Sequence, residues 1–357
     1  MLELHDEPIS EHTTMRVGGP AARMVVCETP DELVDAVREV DDAQEPLLVL
    51  GGGSNLVVAD AGFAGTVVKV ATRGVHVDSQ DSCGGANVTV AAGEDWDALV
   101  ARAVDEGWSG IEALSGIPGS TGATPVQNVG AYGQEVSQTV ARVRVWDRVD
   151  QQVRTMSSPD CHFTYRHSLF KASDRYVVID VMFQLVVQSL SQPVRYTDLA
   201  TELGVEVGQR VPLAEAREAV LAQRRRRGMV LDAADHDTWS CGSFFTNPVL
   251  SVADFEVLEQ RVTDRLGAEG PRPPRFADTD GNVKTSAAWL IERAGFGKGF
   301  GMPGPATLST KHTLAVTNRG GATASDVTAL ARRVRDGVRE AFGVTLVNEP
   351  VLVGDAL

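Results

Sequence analysis

Three side chains, far apart in the chain, could do chemistry of three different kinds. Ser243 lies in WSCGSFFTNP, residues 239–248. A serine nucleophile needs an adjacent base and a sharp strand-to-helix turn. Ser243 has no G-x-S-x-G context, and no histidine clearly belongs with it, so that role is poorly supported and a turn or cap is the alternative. Arg166 lies in YRHSLFK, residues 165–171, between Tyr165 and His167. Its permanent, planar cation can grip a carboxylate or phosphate with two parallel hydrogen bonds, unless it is simply a surface arginine. Glu349 lies in LVNEPVLV, between two apolar segments and directly before Pro350. Partial burial there would disfavour the charged carboxylate and make it an acid or hydrogen-bond donor; the alternative is a turn residue at a strand end.

Two further stretches could hold a ligand by main chain. GGGSN, residues 51–55, directly follows the apolar run PLLVL. Its glycines let backbone amides approach an anion closely, although a tight turn between two strands would look the same. Residues 115–133, SGIPGSTGATPVQNVGAYG, contain five glycines, two prolines and no charge. The stretch is too long for an ordinary connection and too uncharged for a solvated loop, so it must pack against something. Both stretches offer N–H groups, small hydroxyls and an amide (Asn55, Asn128) but no positive charge. That suits a diphosphate held by amides. The four-arginine run 224–227 reads as a helix end complementing the helix dipole, or as a phosphate grip. Residues 299–304 match G-x-G-x-x-G by letter only. A helix ending at Gly295 precedes them and Pro303 interrupts them, so the strand–turn–helix of a dinucleotide fingerprint is missing.

The elements that must position these groups can be read from periodicity. Thr29-Pro30 opens a helix with Leu33, Val37 and Val40 on one face. Strands are expected in PLLVL, LVV, GTVVKV, NVTVAAG, ARVRVWDR and RYVVIDVMFQLVV, with a helix over 96–105 and another from Leu213 to Arg227, stopped by Gly228. Beyond Ser240 the rhythm changes to helices near 253–266, 287–294 and 325–342, alternating with strands TLAVTN and VTLVNEPVLV. The 357 residues suggest two or three domains, with a boundary near 210–230. A net charge of −15 argues against general nucleic-acid binding, which needs a basic surface. The four cysteines form no CxxC pair and the histidines no HExxH, so a metal site is not expected and a reducing compartment is. The acidic N-terminus lacks an apolar signal core, and no long apolar run could span a bilayer. A cytoplasmic monomer is expected.

In combination these motifs are specific. LGGGSNLVV, the 115–133 stretch, YRHSLFK, CGSFFTNP and NEP occur in an order and at intervals that closely resemble the UDP-N-acetylenolpyruvoylglucosamine reductases. These are flavoenzymes of the second committed step toward UDP-N-acetylmuramate. The resemblance runs from about His12 to the C-terminus. It implies an α+β protein with the two-subdomain FAD-binding fold of the vanillyl-alcohol-oxidase type, plus a C-terminal α+β substrate-binding domain. The implied domains are 1–72, FAD-binding subdomain 1, joined by 344–357; 73–215, subdomain 2 with an insertion carrying VRYTDL; and 216–343, the substrate-binding domain. The insertion resembles the longer of the family's two types, in which a tyrosine, here Tyr196, folds over the substrate.

The resemblance implies non-covalent FAD held by Gly51, Gly52, Gly53, Ser54, Asn55, Ser115, Ile117, Pro118, Gly119, Ser120, Gly122, Ala123 and Asn128, largely through backbone. NADPH reduces the flavin and leaves. UDP-GlcNAc-enolpyruvate then takes hydride from flavin N5 at C3, and negative charge collects at C2 and its carboxylate. Arg166 matches the arginine that stabilises this charge, and Glu349 the glutamate acting on the same carboxylate. Ser243 matches the serine that protonates C2. A hydroxyl is a feeble acid near neutral pH, but a carbanionic centre is a strong base, so the serine needs placement more than activation. Gly242 would allow that close approach and the phenylalanines would keep the site dry. Asn247 and His312 match substrate-contacting positions; where some relatives place a lysine that grips the diphosphate this chain has Met229-Val230-Leu231, and that role passes to Arg227 or a neighbour. The alternatives are another FAD oxidoreductase of this fold or a catalytically silent nucleotide-sugar-binding protein.

Overall fold

The computed structural model describes residues 1–171, 173–278, 281–354 and 357. The chain forms two compact units. One comprises Met1–Glu7, Pro20–Gly53 and Phe63–Val230; the other comprises Pro8–Gly19, Ser54–Gly62 and Leu231–Leu357.

The first unit is built on two sheets that share one core. In the smaller sheet, strands Pro20–Cys27, Phe63–Val70 and Leu47–Leu50 run parallel, with Leu2–Pro8 at the edge. Parallel neighbours need a crossover. The helix Pro30–Asp42 supplies the crossover from Pro20–Cys27 to Leu47–Leu50, the strands on either side of Phe63–Val70; it is capped by the Thr29 side chain and buries Leu33, Ala36, Val37 and Val40 at helical spacing. The larger sheet is antiparallel, in the order Gln152–Ser157, Val140–Asp147, Tyr176–Val187, Gly85–Ala91 and Val75–Asp81, with Trp108–Ser109 pairing the far end of Tyr176–Val187. Along Gly85–Ala91 the side chains of Ala86, Val88 and Val90 are buried while their neighbours are half-exposed, the alternation of a sheet with one face in the core. Asp95 caps the helix Trp96–Asp105 by accepting the Ala98 N–H at 2.8 Å. From that helix the Trp96 Nε1–H donates to the Leu114 carbonyl at 3.2 Å, fixing the point where the uncharged loop begins.

The insertion holds a helix the sequence reading did not anticipate, Thr197–Leu203, with Tyr196 at its N-cap. Val194, Leu199 and Ala200 pack with Ala113 and with Ala219 and Val220 of the helix Leu213–Arg226. The buried Glu112 carboxylate accepts the N–H groups of Gly110 and Gln192, each at 2.6 Å, and so fastens the insertion to the segment leading into residues 115–133.

The second unit packs the helices Val252–Leu266, Ala287–Arg293 and Ala324–Phe342 around Phe244, Phe245, Phe255 and Phe342. Thr323 and Asp326 form a capping box on the last helix. The Asp60 carboxylate adds two more acceptors, for Ala324 N–H at 2.6 Å and Ser325 N–H at 3.0 Å. The strand expected across VTLVNEPVLV forms only at Val351–Val353, which pairs parallel with Leu56–Val58. Pro350 has no N–H to continue a ladder, and the Glu349 N–H is spent on the Phe244 carbonyl. The strand expected in TLAVTN likewise contracts to Val316–Asn318, paired with Ala306–Leu308. Among the described residues, no helix is long and apolar enough to cross a membrane.

Candidate active site

In the first unit the two glycine-rich stretches lie side by side. Of residues 115–133 only Ala123 is exposed, so the lack of charge reflects burial. Three main-chain bonds pin the stretch: Trp96 N–H to Gly119 O (3.1 Å), Thr121 N–H to Glu94 O (2.8 Å) and Gly122 N–H to Ala92 O (2.8 Å). A Cβ at Gly52 would stand 2.5 Å from Gly119 Cα, and one at Gly51 would stand 2.4 Å from Ser120 Oγ. Glycine is therefore required at 52 by the approach of a second backbone, and at 51 by the Ser120 hydroxyl. The result is a rim of two main chains with almost no side chain between them, the cradle expected for a diphosphate.

Two cations from elements remote in sequence donate to carbonyls of these two stretches. Lys69, from the strand Phe63–Val70, donates its Nζ to the Gly51 carbonyl, and burial lowers its pKa. Arg224, in the last turn of the helix Leu213–Arg226, donates Nη2 to the carbonyls of Met229 (2.8 Å) and Gly116 (3.4 Å). Burial lowers the Arg224 guanidinium to about 10. Its Nε is shut off from solvent and has no hydrogen-bond partner among the described residues. Of the arginine run, then, Arg224 is the one turned inward. Arg227, the expected diphosphate grip, pairs with Asp198 at 2.9 Å on the surface. Lys69 has a signal in the sequence, a lone cation inside the apolar run TVVKV.

Arg166 sits at the tip of a tight turn in which Thr164 and His167 exchange backbone hydrogen bonds. Its φ is 53°, a left-handed conformation uncommon for a residue other than glycine. Nη2 donates to the Gly130 carbonyl at 2.7 Å, and the guanidinium lies 5.2 Å from the Tyr165 ring centroid. The Lys171 ammonium in turn donates to the Arg166 carbonyl at 3.0 Å. Tyr196 is half-exposed, with its ring edge-on to Tyr132 at 6.1 Å.

In the second unit the structure brings Ser243 and Glu349 together. The Glu349 N–H donates to the Phe244 carbonyl at 2.9 Å, and Phe245 and Asn348 form a bridge beside it. Phe244 and Phe245 are fully buried in the core and anchor the segment, while Ser243 and Glu349 remain partly accessible. Gly242 has φ of 71°, and no atom lies within 4 Å of where its Cβ would be, so there is open space beside the serine. Cys241 is buried below it, its thiol pushed up to about 12 by burial, and so is inert.

Asn55 belongs to this unit and serves the glutamate: its side-chain Nδ2 donates to the Glu349 carbonyl at 3.2 Å, and its main-chain carbonyl accepts the Val351 N–H at 3.0 Å. Asn247 Oδ1 accepts the Ala287 N–H at 3.0 Å, at the start of the helix Ala287–Arg293. His312 is half-buried in a turn where its N–H meets Ser309 Oγ at 3.2 Å and its carbonyl accepts the Ala315 N–H at 3.1 Å. Asp237 is buried and ties its segment to Thr310 and Arg319. Although burial pushes its carboxyl up, the Thr310 hydroxyl and N–H and the Arg319 guanidinium hold it below the ordinary range.

Comparison with known proteins accords with this architecture. Residues 21–157 match the family model for an FAD binding domain, and residues 234–353 match that for the C-terminal domain of UDP-N-acetylenolpyruvoylglucosamine reductase. The chain is also similar in fold to 4-ethylphenol oxidase from Gulosibacter chungangensis (TM-score 0.51, 13% identity, covering 95% of this chain and 84% of that one). An FAD-binding fold of the vanillyl-alcohol-oxidase type with an added C-terminal α+β domain defines an FAD-dependent oxidoreductase. Its UDP-N-acetylenolpyruvoylglucosamine reductase relatives include those of Thermobifida fusca (59% identity over 350 residues, 98% of each chain) and Streptomyces coelicolor (57% over 357 residues, 99% of this chain and 91% of that one). The crystal structure of the Thermus caldophilus reductase matches with TM-score 0.64 at 25% identity, covering 99% of this chain and 98% of that one. The chain belongs to the UDP-N-acetylenolpyruvoylglucosamine reductase family.

Proposed function

We propose that the protein reduces UDP-GlcNAc-enolpyruvate to UDP-N-acetylmuramate at the expense of NADPH, supplying a precursor of peptidoglycan. The observation that carries this reading is the main-chain bond from the Glu349 N–H to the carbonyl of Phe244, the residue that follows Ser243, which brings these two chain segments together. In this reading residues 1–72, joined by 344–357, and 73–215 are the two FAD-binding subdomains and 216–343 the substrate-binding domain. The protein works as a cytoplasmic monomer.

The residues present fit FAD. The glycine rim admits main chain where a Cβ would clash, and the unpartnered Arg224 Nε supplies a buried donor for an anionic or carbonyl oxygen. Gly51–Asn55 and Ser115–Asn128 hold the cofactor mainly by backbone, with Lys69 and Arg224 as the nearby cations. Bound there, FAD would supply the hydride chemistry between NADPH and C3 of the enolpyruvyl group.

The chain's own residues manage the charge and the proton. Arg166 neutralises the negative charge that develops on the substrate carboxylate, and Glu349 acts on the same carboxylate as a hydrogen-bond donor. Ser243 gives its proton to C2. The carbanionic carbon is far more basic than the alkoxide left behind, so the transfer runs downhill once the hydroxyl is in place. Tyr196, Asn247, Arg227 and His312 contact the nucleotide sugar. The test is anaerobic. NADPH should bleach the yellow holoenzyme, and UDP-GlcNAc-enolpyruvate should then restore the colour. A flavin that NADPH reduces but the enolpyruvyl sugar leaves reduced would refute the assignment and favour another oxidoreductase of the same fold.

A further inference from the structure

Asn128 stands in the glycine-rich stretch, where the resemblance makes it a cofactor contact. Its side chain is committed elsewhere. Nδ2 donates to Glu135 Oε2 at 2.9 Å and to the Thr164 carbonyl at 3.0 Å, and Oδ1 accepts the Ser137 N–H at 3.1 Å. Both amide hydrogens and the amide oxygen are thus used within the protein, and the residue is 1% exposed. Its φ of 47° is left-handed, a conformation that asparagine tolerates better than most side chains.

The Thr164 carbonyl opens the tight turn that presents Arg166. Two residues beyond Asn128, the Gly130 carbonyl receives Arg166 Nη2 at 2.7 Å. A Cβ at Gly130 would lie 2.8 Å from Glu135 Cγ, 2.9 Å from the Gln134 carbonyl oxygen and 3.0 Å from Arg166 Nη1, so both Glu135 and Arg166 pack closely on the bare glycine. Asn128 therefore ties the base of the turn, and Gly130 ties its tip, to the same few residues of the cofactor stretch. The Glu135 carboxylate strengthens the first tie, because a hydrogen bond to a charged acceptor is roughly twice as strong as a neutral one.

We propose that Asn128, seconded by Glu135, is a positioning residue that sets the Arg166 guanidinium relative to the cofactor stretch. This rests on the reading of Arg166 as the group that neutralises the substrate's developing charge. The variant that isolates the side chain is Asn128→Gly, since glycine accepts the left-handed backbone that alanine would strain. The Asn128 side chain is spent within the protein, so any contact with the cofactor is by its main chain, which glycine keeps; flavin absorbance and reduction by NADPH should therefore hold in the holoenzyme. Re-oxidation by UDP-GlcNAc-enolpyruvate should slow by about 10–100-fold, the cost of misplacing a catalytic group by roughly 1 Å. If Asn128 works through Arg166, N128G/R166A should be no slower than R166A alone, because residues acting as one unit do not add. Multiplied losses, or equal losses in both half-reactions, would overturn the proposal.

Where N128G fails to hold flavin, Glu135→Gln keeps the fold and should give a smaller loss of the same selectivity; no loss, or one shared by both half-reactions, also overturns it. The crystal structure of the N128G (or E135Q) holoenzyme reads the claim without turnover. A 164–167 turn displaced from Gly130 is expected, and an unmoved turn contradicts it. Failure of the functional reading is recognised separately, as wild-type protein that the enolpyruvyl sugar cannot re-oxidise.

Discussion

Glu349 and Phe244 are joined by a 2.9 Å bond from the glutamate's N–H to the phenylalanine's carbonyl, which places the carboxylate-bearing residue one peptide from Ser243. Both partners are braced: Phe244 and Phe245 are sealed in the core, and Asn55 grips the Glu349 carbonyl. A proton donor that lacks an activating base depends on such bracing, since its contribution comes from where it stands.

Asn55 is the adjustable part of this bracing. Asn55→Ala removes the bond to the Glu349 carbonyl and leaves the glutamate itself in place. We expect kcat to fall by about 10–100-fold, the scale of a displacement of roughly 1 Å, with bound FAD retained. Steady-state kinetics with flavin content measured on the same preparation checks this. Unchanged kcat would show that Glu349 is held by other contacts.

The glycine rim makes a prediction that can be undone on purpose. Gly51→Ala drives a methyl to within 2.4 Å of Ser120 Oγ, and should destabilise the protein by about 1–3 kcal/mol, as overpacking does, with loss of flavin. Adding Ser120→Ala removes the obstructing oxygen and should restore most of both. Gly52→Ala meets the Gly119 backbone and should gain nothing from the same second change. Thermal melts and absorbance of bound flavin separate these cases.

Asp147 gives the first unit an acid-sensitive joint. The Arg175 guanidinium, bonded at 2.9 and 2.8 Å, holds its carboxyl at about 2, against an ordinary 3.8. A pKa depressed in the folded state adds stability that is complete above about pH 4 and is lost as pH falls from 4 to 2. Asp147→Asn should therefore melt well below the wild type at pH 7, and the gap should narrow steadily below pH 4. A gap that does not change with pH would assign the effect to packing.

Much of the fold was legible because its signals are local. Thr29-Pro30 and Asp95 announce helix starts, and the alternation at residues 86–90 announces a one-sided strand. The helix Thr197–Leu203 escaped notice because it is short and gets its stability from packing Leu199 and Ala200 on a helix that follows it in the chain. The long strand expected around Glu349 was overridden by Pro350. For the site, residue types pointed to Ser243, Glu349 and Arg166, but the partners of those residues are long-range. Lys69 beside Gly51, Arg224 beside Gly116, Asn55 on Glu349 and Asn128 on Thr164 are joined by the fold, and no spacing in the sequence encodes them.

The most direct test of the central claim compares the two half-reactions of Ser243→Ala by anaerobic stopped-flow. Flavin reduction by NADPH should proceed at close to the wild-type rate. Re-oxidation by UDP-GlcNAc-enolpyruvate should slow by about 10²–10⁴-fold, the usual contribution of a positioned proton donor, and Ser243→Cys should recover part of it. Equal slowing of both half-reactions, or re-oxidation at the wild-type rate, would contradict the assignment of Ser243 as the proton donor.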